Sequence, residues 1–151
     1  LKLTVSFTGL SELDMKVRYL REAAQSGLKL SVPEAAQLFV EEAKILVPVD
    51  TGRLQEAIHA ETLEDTDTRQ TMQVAPFVEA PNEWGFDPAY ARRIEYSFIG
   101  PDSLGRLFHQ AAQPYMRPAY DAKQAEAAET IKTGIYDSLD NAMASVSQGR
   151  R

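Results

Sequence analysis

A chain of 151 residues with no cysteine and a formal net charge of −6 is long enough to bury a core as one domain. It has no disulfide or thiolate chemistry open to it and no general attraction for phosphate backbones. No apolar run approaches membrane-spanning length and no basic start leads into an apolar signal region, so a protein that works in solution, without a membrane partner, is expected. The absence of cysteine fits a reducing cytosol, and an opening on Leu1 rather than Met fits a trimmed chain.

Leu3, Val5 and Phe7 alternate with Thr4, Ser6 and Thr8, the period of a half-buried strand that Gly9 would end. Leu10, Leu13, Val17, Leu20 and Ala24 then recur every three or four residues, which predicts a helix with its apolar stripe on the core and a stop at Gly27. Ser31-Val32-Pro33-Glu34 has capping-box spacing with proline in the first turn, and so predicts the start of a second helix. Loss of that Ser31 cap would cost about 1 kcal/mol. Ala36, Phe39, Val40, Ala43 and Val47 share one face of this second helix, which should end near Leu46 because Pro48 disfavours helical geometry before it.

Asp50 or Thr51 is placed to cap a short helix through Ile58. Ile58 to Leu63 and Arg69 to Val78 read as two strands of a hairpin, joined by the polar cluster Glu64 to Thr68. Pro76 marks an edge or bulge. The stretch from Ala80 to Pro88 has the turn residues of an exposed loop but carries Trp84 and Phe86, either as a lid on the core or as a partner contact. Asp87-Pro88 should open a short helix to Glu95, and Tyr96 to Ile99 reads as a further strand. Gly100 to Gly105 reads as a loop, and Leu107 to Gln113 is weakly specified. The longest helix is predicted from Pro118 to Ala144, with Gly134 in its middle costing about 1 kcal/mol relative to alanine, and a frayed tail from about residue 147. The expected architecture is a single α+β domain over 1–151: two N-terminal helices and a long C-terminal helix packed on a small, mostly antiparallel sheet.

Candidate chemistry centres on Asp50-Thr51-Gly52, the tripeptide that carries the carboxylate of aspartic proteases. Such an enzyme needs two aspartates sharing a proton, so this chain would have to act as a homodimer. Phe98-Ile99-Gly100 faintly imitates the downstream apolar-glycine element of the small viral enzymes. Against that, the tripeptide follows a helix, Arg53 stands where those enzymes place a small residue, and the chain is too helical for their all-β fold. A helix-capping, non-catalytic role is the expectation. His59 and His109 are the two histidines, far apart and without ligand spacing, so neither a metal nor a cofactor is expected. Arg92-Arg93 and Arg150-Arg151 fall short of the basic, aromatic-studded face that nucleic-acid binding needs.

Three stretches together carry a resemblance. Val47-Pro48-Val49-Asp50-Thr51-Gly52-Arg53-Leu54 follows a helix; Tyr90-Ala91 and Ile94-Glu95-Tyr96 lie in mid-chain; Gln113-Pro114-Tyr115-Met116-Arg117-Pro118-Ala119 precedes the last helix. In this order and spacing, over roughly residues 30 to 140, the chain resembles the neck and tail-completion (head-tail joining) proteins of long-tailed bacteriophages, of the lambdoid gene-product-ten type. Family members often follow the glutamate-aromatic pair with Gly-Thr, where this chain has Ser97-Phe98. The resemblance implies a structural virion protein and no enzyme: a ring of six subunits, or a multiple of six, between the head-completion or connector protein and the tail terminator or tail tube. DNA would only pass through its lumen, and assembly would take place in the host cytoplasm. A binding module of another phage-like assembly is the alternative. Within that reading Pro48, Asp50, Thr51, Gly52 and Leu54 would redirect the chain between helices. Tyr90 to Glu95, with Ala91 inside, would present Arg92, Arg93 and Glu95 for salt links across subunits or to the loop. Arg117, framed by Pro114 and Pro118, reads either as a positioned contact or as a plain surface arginine.

Overall fold

The computed structural model describes residues 9–77, 88–101 and 104–148. The strand expected over residues 3–8, the loop with Trp84 and Phe86, Asp87 and the last three residues lie outside them. The elements in chain order are α1 (Leu10–Leu46), α2 (Arg53–Ala57), β1 (Ile58–Asp65), β2 (Gln70–Pro76), α3 (Pro88–Tyr96), β3 (Phe98–Pro101), β4 (Leu107–Gln110) and α4 (Met116–Gln148). The fold is α+β: α1 and α4 pack together, and among the described residues two separate two-stranded antiparallel sheets take the place of the single expected sheet.

The largest departure from the sequence pattern is that the two expected N-terminal helices are one. Leu10–Leu46 is continuous through Gly27, Ser31 and Pro33. Gly27 does not stop the helix; it is buried, and a Cβ there would lie 2.8 Å from both the Gly134 carbonyl oxygen and Ser138 Oγ. Ser31 does not cap anything. It is buried one turn on, where its hydroxyl donates to the Gly27 carbonyl oxygen at 2.7 Å. The glycines and the serine mark the place where two helix backbones pass at close range. Tertiary contact there overrides local stop-and-start signals that would govern a free peptide. Pro33 withdraws one N–H from the helix interior.

Contacts along the pair fix its direction. Tyr19 hydrogen-bonds Ser145 at 3.0 Å near one end, Gly27 meets Gly134 in the middle, and the Phe39 ring stacks on Tyr120 at 5.8 Å near the other. The helices are therefore antiparallel. Three residues beyond Ser145 the described part of α4 ends, so the first two turns of α1 have little of α4 opposite them. This is why Leu10, Leu13 and Val17, expected on the core, are exposed, while Leu20 and Ala24 are half-buried. The stripe on the C-terminal part of α1 fares better: Ala36, Val40, Ala43 and Val47 are buried.

The β1–β2 hairpin matches its sequence signals closely. Ile58↔Pro76 begins the ladder, Asp65↔Gln70 ends it, and a bulge falls between Thr62 and Glu64. The Thr66 hydroxyl and N–H both bond the Arg69 carbonyl oxygen, which closes the turn. Lys29 of α1 reaches Asp65 at 3.5 Å, so the hairpin lies back along the helix with its tip near that residue. The core sits at the opposite end of α1, where Val40, Ala43 and Val47 meet Leu54 of α2, Ile58 of β1, Ala91 and Ile94 of α3, and Tyr115 and Ala119 at the start of α4.

On an exposed helix Gly134→Ala would stabilise by about 1 kcal/mol. Here the new Cβ would fall 2.6 Å from the Ser31 Cβ, and the substitution is expected to destabilise by about 1–3 kcal/mol in urea unfolding. An unchanged or higher midpoint would mean that α1 and α4 do not cross at this point.

Candidate functional site: the joint at the start of the last helix

The three stretches singled out in the sequence are brought together by the fold at one end of the helix pair. Val47 closes α1 with its N–H on the Ala43 carbonyl oxygen, 2.9 Å away, and Pro48 then turns the chain outward. Asp50 and Thr51 are exposed in the connecting loop. Neither caps α2: the N-cap is Gly52, in the left-handed region at φ 80, with no side-chain cap hydrogen bond. The expected capping role of Asp50 or Thr51 is therefore corrected. A glycine with no Cβ reaches a geometry that the preceding residues would adopt only with strain, and it leaves the first turn to backbone bonding through Glu56 N–H on Gly52 O at 2.9 Å. The Gln55 side-chain amide donates to the Lys44 carbonyl oxygen at 2.7 Å and ties α2 to the end of α1. Leu54 is buried in the core.

Pro48, Asp50, Thr51, Gly52, Leu54 and Gln55 line a cleft closed by Tyr90 of α3. Its volume is about 10 Å³, room for no more than one water. The first and second stretches thus touch each other, at a joint and not at a substrate-sized pocket.

The second and third stretches meet through Glu95. Its side chain was expected to face a neighbouring subunit or the loop; it points inward and is 9% exposed. One carboxylate oxygen accepts the N–H of Tyr115 at 2.8 Å and of Met116 at 3.0 Å, and the other accepts the N–H of Arg117 at 3.2 Å. The next residue, Pro118, has no N–H, and the Ala119 N–H makes the first bond of α4, to the Tyr115 carbonyl oxygen at 3.1 Å. Every N–H left over at this helix start is accounted for by one carboxylate and one proline. A negative charge at the positive end of the helix dipole adds to the effect. Because Glu95 satisfies these donors, the helix starts at Met116, two residues before the proline that the sequence pattern would place first.

Around this anchor the chain is held at several points. The Gln113 N–H bonds the Ile94 carbonyl oxygen at 2.8 Å, fixing the approach to α4 against the end of α3. Tyr115 is 1% exposed, and burial pushes its phenol up to about 12, with the Glu95 carboxylate and Tyr96 adding to the shift. Ser97 takes a left-handed conformation, φ 73, between α3 and β3. That conformation costs a non-glycine residue about 1–2 kcal/mol, which explains why glycine would suit this position. Arg93 lays its guanidinium over the Phe98 ring, 4.4 Å from the centroid. Of the other expected site residues, Ala91 is buried, Arg92 and Pro114 are exposed, and Pro118 is half-buried. Arg117 is fixed through its backbone while its side chain is exposed. Sequence reasoning missed Tyr115 as a core residue and Glu95 as a cap, because the glutamate lies 20 residues before the first amide it holds and no local motif signals such a distance.

Among the described residues no group of three His, Asp or Glu side chains is arranged to hold a metal. Comparison of the chain with family models, with curated proteins and with solved structures finds no match.

Glu95→Ala strands three backbone donors and is expected to cost about 3 kcal/mol or more, whereas Glu95→Gln keeps one acceptor oxygen and should cost about 1–2 kcal/mol. Chemical denaturation of both variants reads this order directly. Two variants as stable as the parent would remove Glu95 from its anchoring role.

Proposed function

We propose that the chain is a structural subunit of the neck of a long-tailed bacteriophage, a tail-completion or head-tail joining protein that sits between the head connector and the tail. The observation that carries this reading is the meeting of the three resemblance-bearing stretches. Residues 47–54, 90–96 and 113–119 are distant in sequence, yet they share one core and are linked through the Tyr90 cleft and the Glu95 anchor. A set of residues that together builds one joint makes sense as the mark of a common architecture.

Surface chemistry supports an assembling protein. Leu10, Leu13, Met15 and Val17 at one end, and Ile99, Leu104 and Leu107 at the other, are all more than half exposed. Apolar side chains in such numbers at both ends of an elongated subunit suit contact with neighbours. We read the assembled form as a ring of six or a multiple of six, with DNA passing through the lumen. Its neighbours would be the connector or head-completion protein on one side and the tail terminator or tail tube on the other. It would assemble in the host cytoplasm and remain in the virion. No helix among the described residues is long and apolar enough to cross a membrane. The exposed, loop-borne position of Asp50 beside a cleft that fits one water supports a non-catalytic reading of Asp50-Thr51-Gly52.

Deletion of the gene, followed by electron microscopy of lysates, tests this role. Full heads and free tails that fail to join are expected. Normal tailed particles would overturn the proposal.

A further inference from the structure

The first turns of α1 carry an apolar stripe. Leu10, Leu13 and Val17 are more than half exposed and Leu20 is half-buried. Their spacing of three, four and three residues keeps them within about 80° of one another around the helix. At Leu20 the stripe meets a cleft of about 230 Å³, lined on the α4 side by Met143 and Val146.

The charges bordering the stripe say what it fits. Glu12 and Lys16 run along one flank and Asp14 and Arg18 along the other, each acid paired with the base four residues after it. The whole pattern is symmetric about residue 15. Leu10 mirrors Leu20 and Leu13 mirrors Val17, so apolar falls on apolar. Glu12 mirrors Arg18 and Asp14 mirrors Lys16, so each acid falls on a base. A surface of this kind is complementary to itself when turned end for end.

We propose that the stripe binds the same stripe of a second copy of this chain, with the two α1 helices antiparallel about a twofold axis at residue 15. Antiparallel packing faces like flank to like flank. Asp14 then lies within about 3 Å, along the axis, of the level of the partner's Arg18, and Glu12 equally near the level of the partner's Lys16. On each flank two such opposite pairs form across the contact, against one close pair of like sign. A parallel arrangement faces the unlike flanks and reverses that balance: Asp14 comes level with the partner's Lys16, but also with the partner's Glu12, while Arg18 comes level with the partner's Lys16. Charge thus selects the antiparallel form. In that form the partner's Leu10 stands opposite Leu20, at the mouth of the cleft lined by Met143 and Val146. The contact covers about 15 Å of helix, short for an interface, so the pair is reversible. A twofold contact also closes on itself. It therefore joins two free subunits and leaves a ring to other surfaces, and it stands apart from the neck role.

Sedimentation equilibrium of the full-length protein over a concentration series tests the pairing. The parent is expected to dimerise reversibly. Leu13→Glu/Val17→Glu, at two exposed positions, should raise the dissociation constant about 100-fold or more. Glu12→Lys/Asp14→Lys and Lys16→Glu/Arg18→Glu should each be monomeric alone and form a one-to-one pair when mixed, a rescue that local damage to the helix would not give. Because the chain has no native cysteine, orientation can be read separately: on oxidation, Leu13→Cys mixed with Val17→Cys should give a disulfide dimer that neither variant gives alone. A parent still monomeric at about 1 mM would overturn the inference and leave the stripe to another occupant. So would an oligomer unchanged by Leu13→Glu/Val17→Glu, a mixture of the charge variants that stays monomeric, or a disulfide dimer from Leu13→Cys alone as abundant as from the mixture.

Discussion

Four successive residues at the start of α4 have no backbone partner within the helix, and the fold is arranged so that none of their donors is wasted. Glu95 takes the N–H groups of Tyr115, Met116 and Arg117, and Pro118 has none to place. Each buried amide left without an acceptor would cost about 1–3 kcal/mol, so the carboxylate sets where α4 can begin. It also sets where α3 must end, since Glu95 lies in its last turn and Ile94 holds the Gln113 N–H. Through the core, that joint positions the end of α1, α2 and the first residue of β1 as well. The geometry of the whole wide end of the molecule follows from a single anchored helix start.

The other organising constraint is the crossing of α1 and α4. Gly27, Ser31 and Gly134 permit backbone approach at a distance that larger side chains would prevent. A glycine inside a helix weakens it locally, but packing against a neighbour at close range offsets the loss. The two constraints act at different heights of the same antiparallel pair. The crossing fixes how near the helices run, and the anchor fixes their register. Beyond the crossing, toward Leu10, neither acts, and apolar side chains there are exposed.

Periodicity and turn chemistry made much of the fold legible. The β1–β2 hairpin, the short helix from Pro88 and the final long helix all follow from alternation, a polar turn and an apolar stripe. The failure at the centre of α1 has one physical origin, which is tertiary contact replacing a local signal. Gly27 and Ser31-Val32-Pro33-Glu34 spell a stop and a start, and the close face of α4 turns both into helix interior. Asp50 and Thr51 are good caps by type, but Gly52 occupies the position because the chain must enter α2 through a left-handed residue. Tyr90, Ala91, Glu95, Pro114 and Pro118 could be singled out as a group by resemblance, yet the bond between Glu95 and the residues around Tyr115 could not be read from either stretch alone. The β3–β4 ribbon was half seen, since four-residue strands carry too little alternation to announce themselves.

In the proposed neck assembly, this division of labour would have a use. The anchored joint holds one end in place, while the first turns of α1 expose Leu10, Leu13, Met15 and Val17. The central claim, that the Glu95 carboxylate fixes the start of α4, is most directly tested by amide hydrogen exchange at Tyr115, Met116 and Arg117. Anchored donors should exchange only through global unfolding, as slowly as the amides in the middle of α4. Exchange at the rate of a fraying helix end, with the rest of α4 protected, would contradict it.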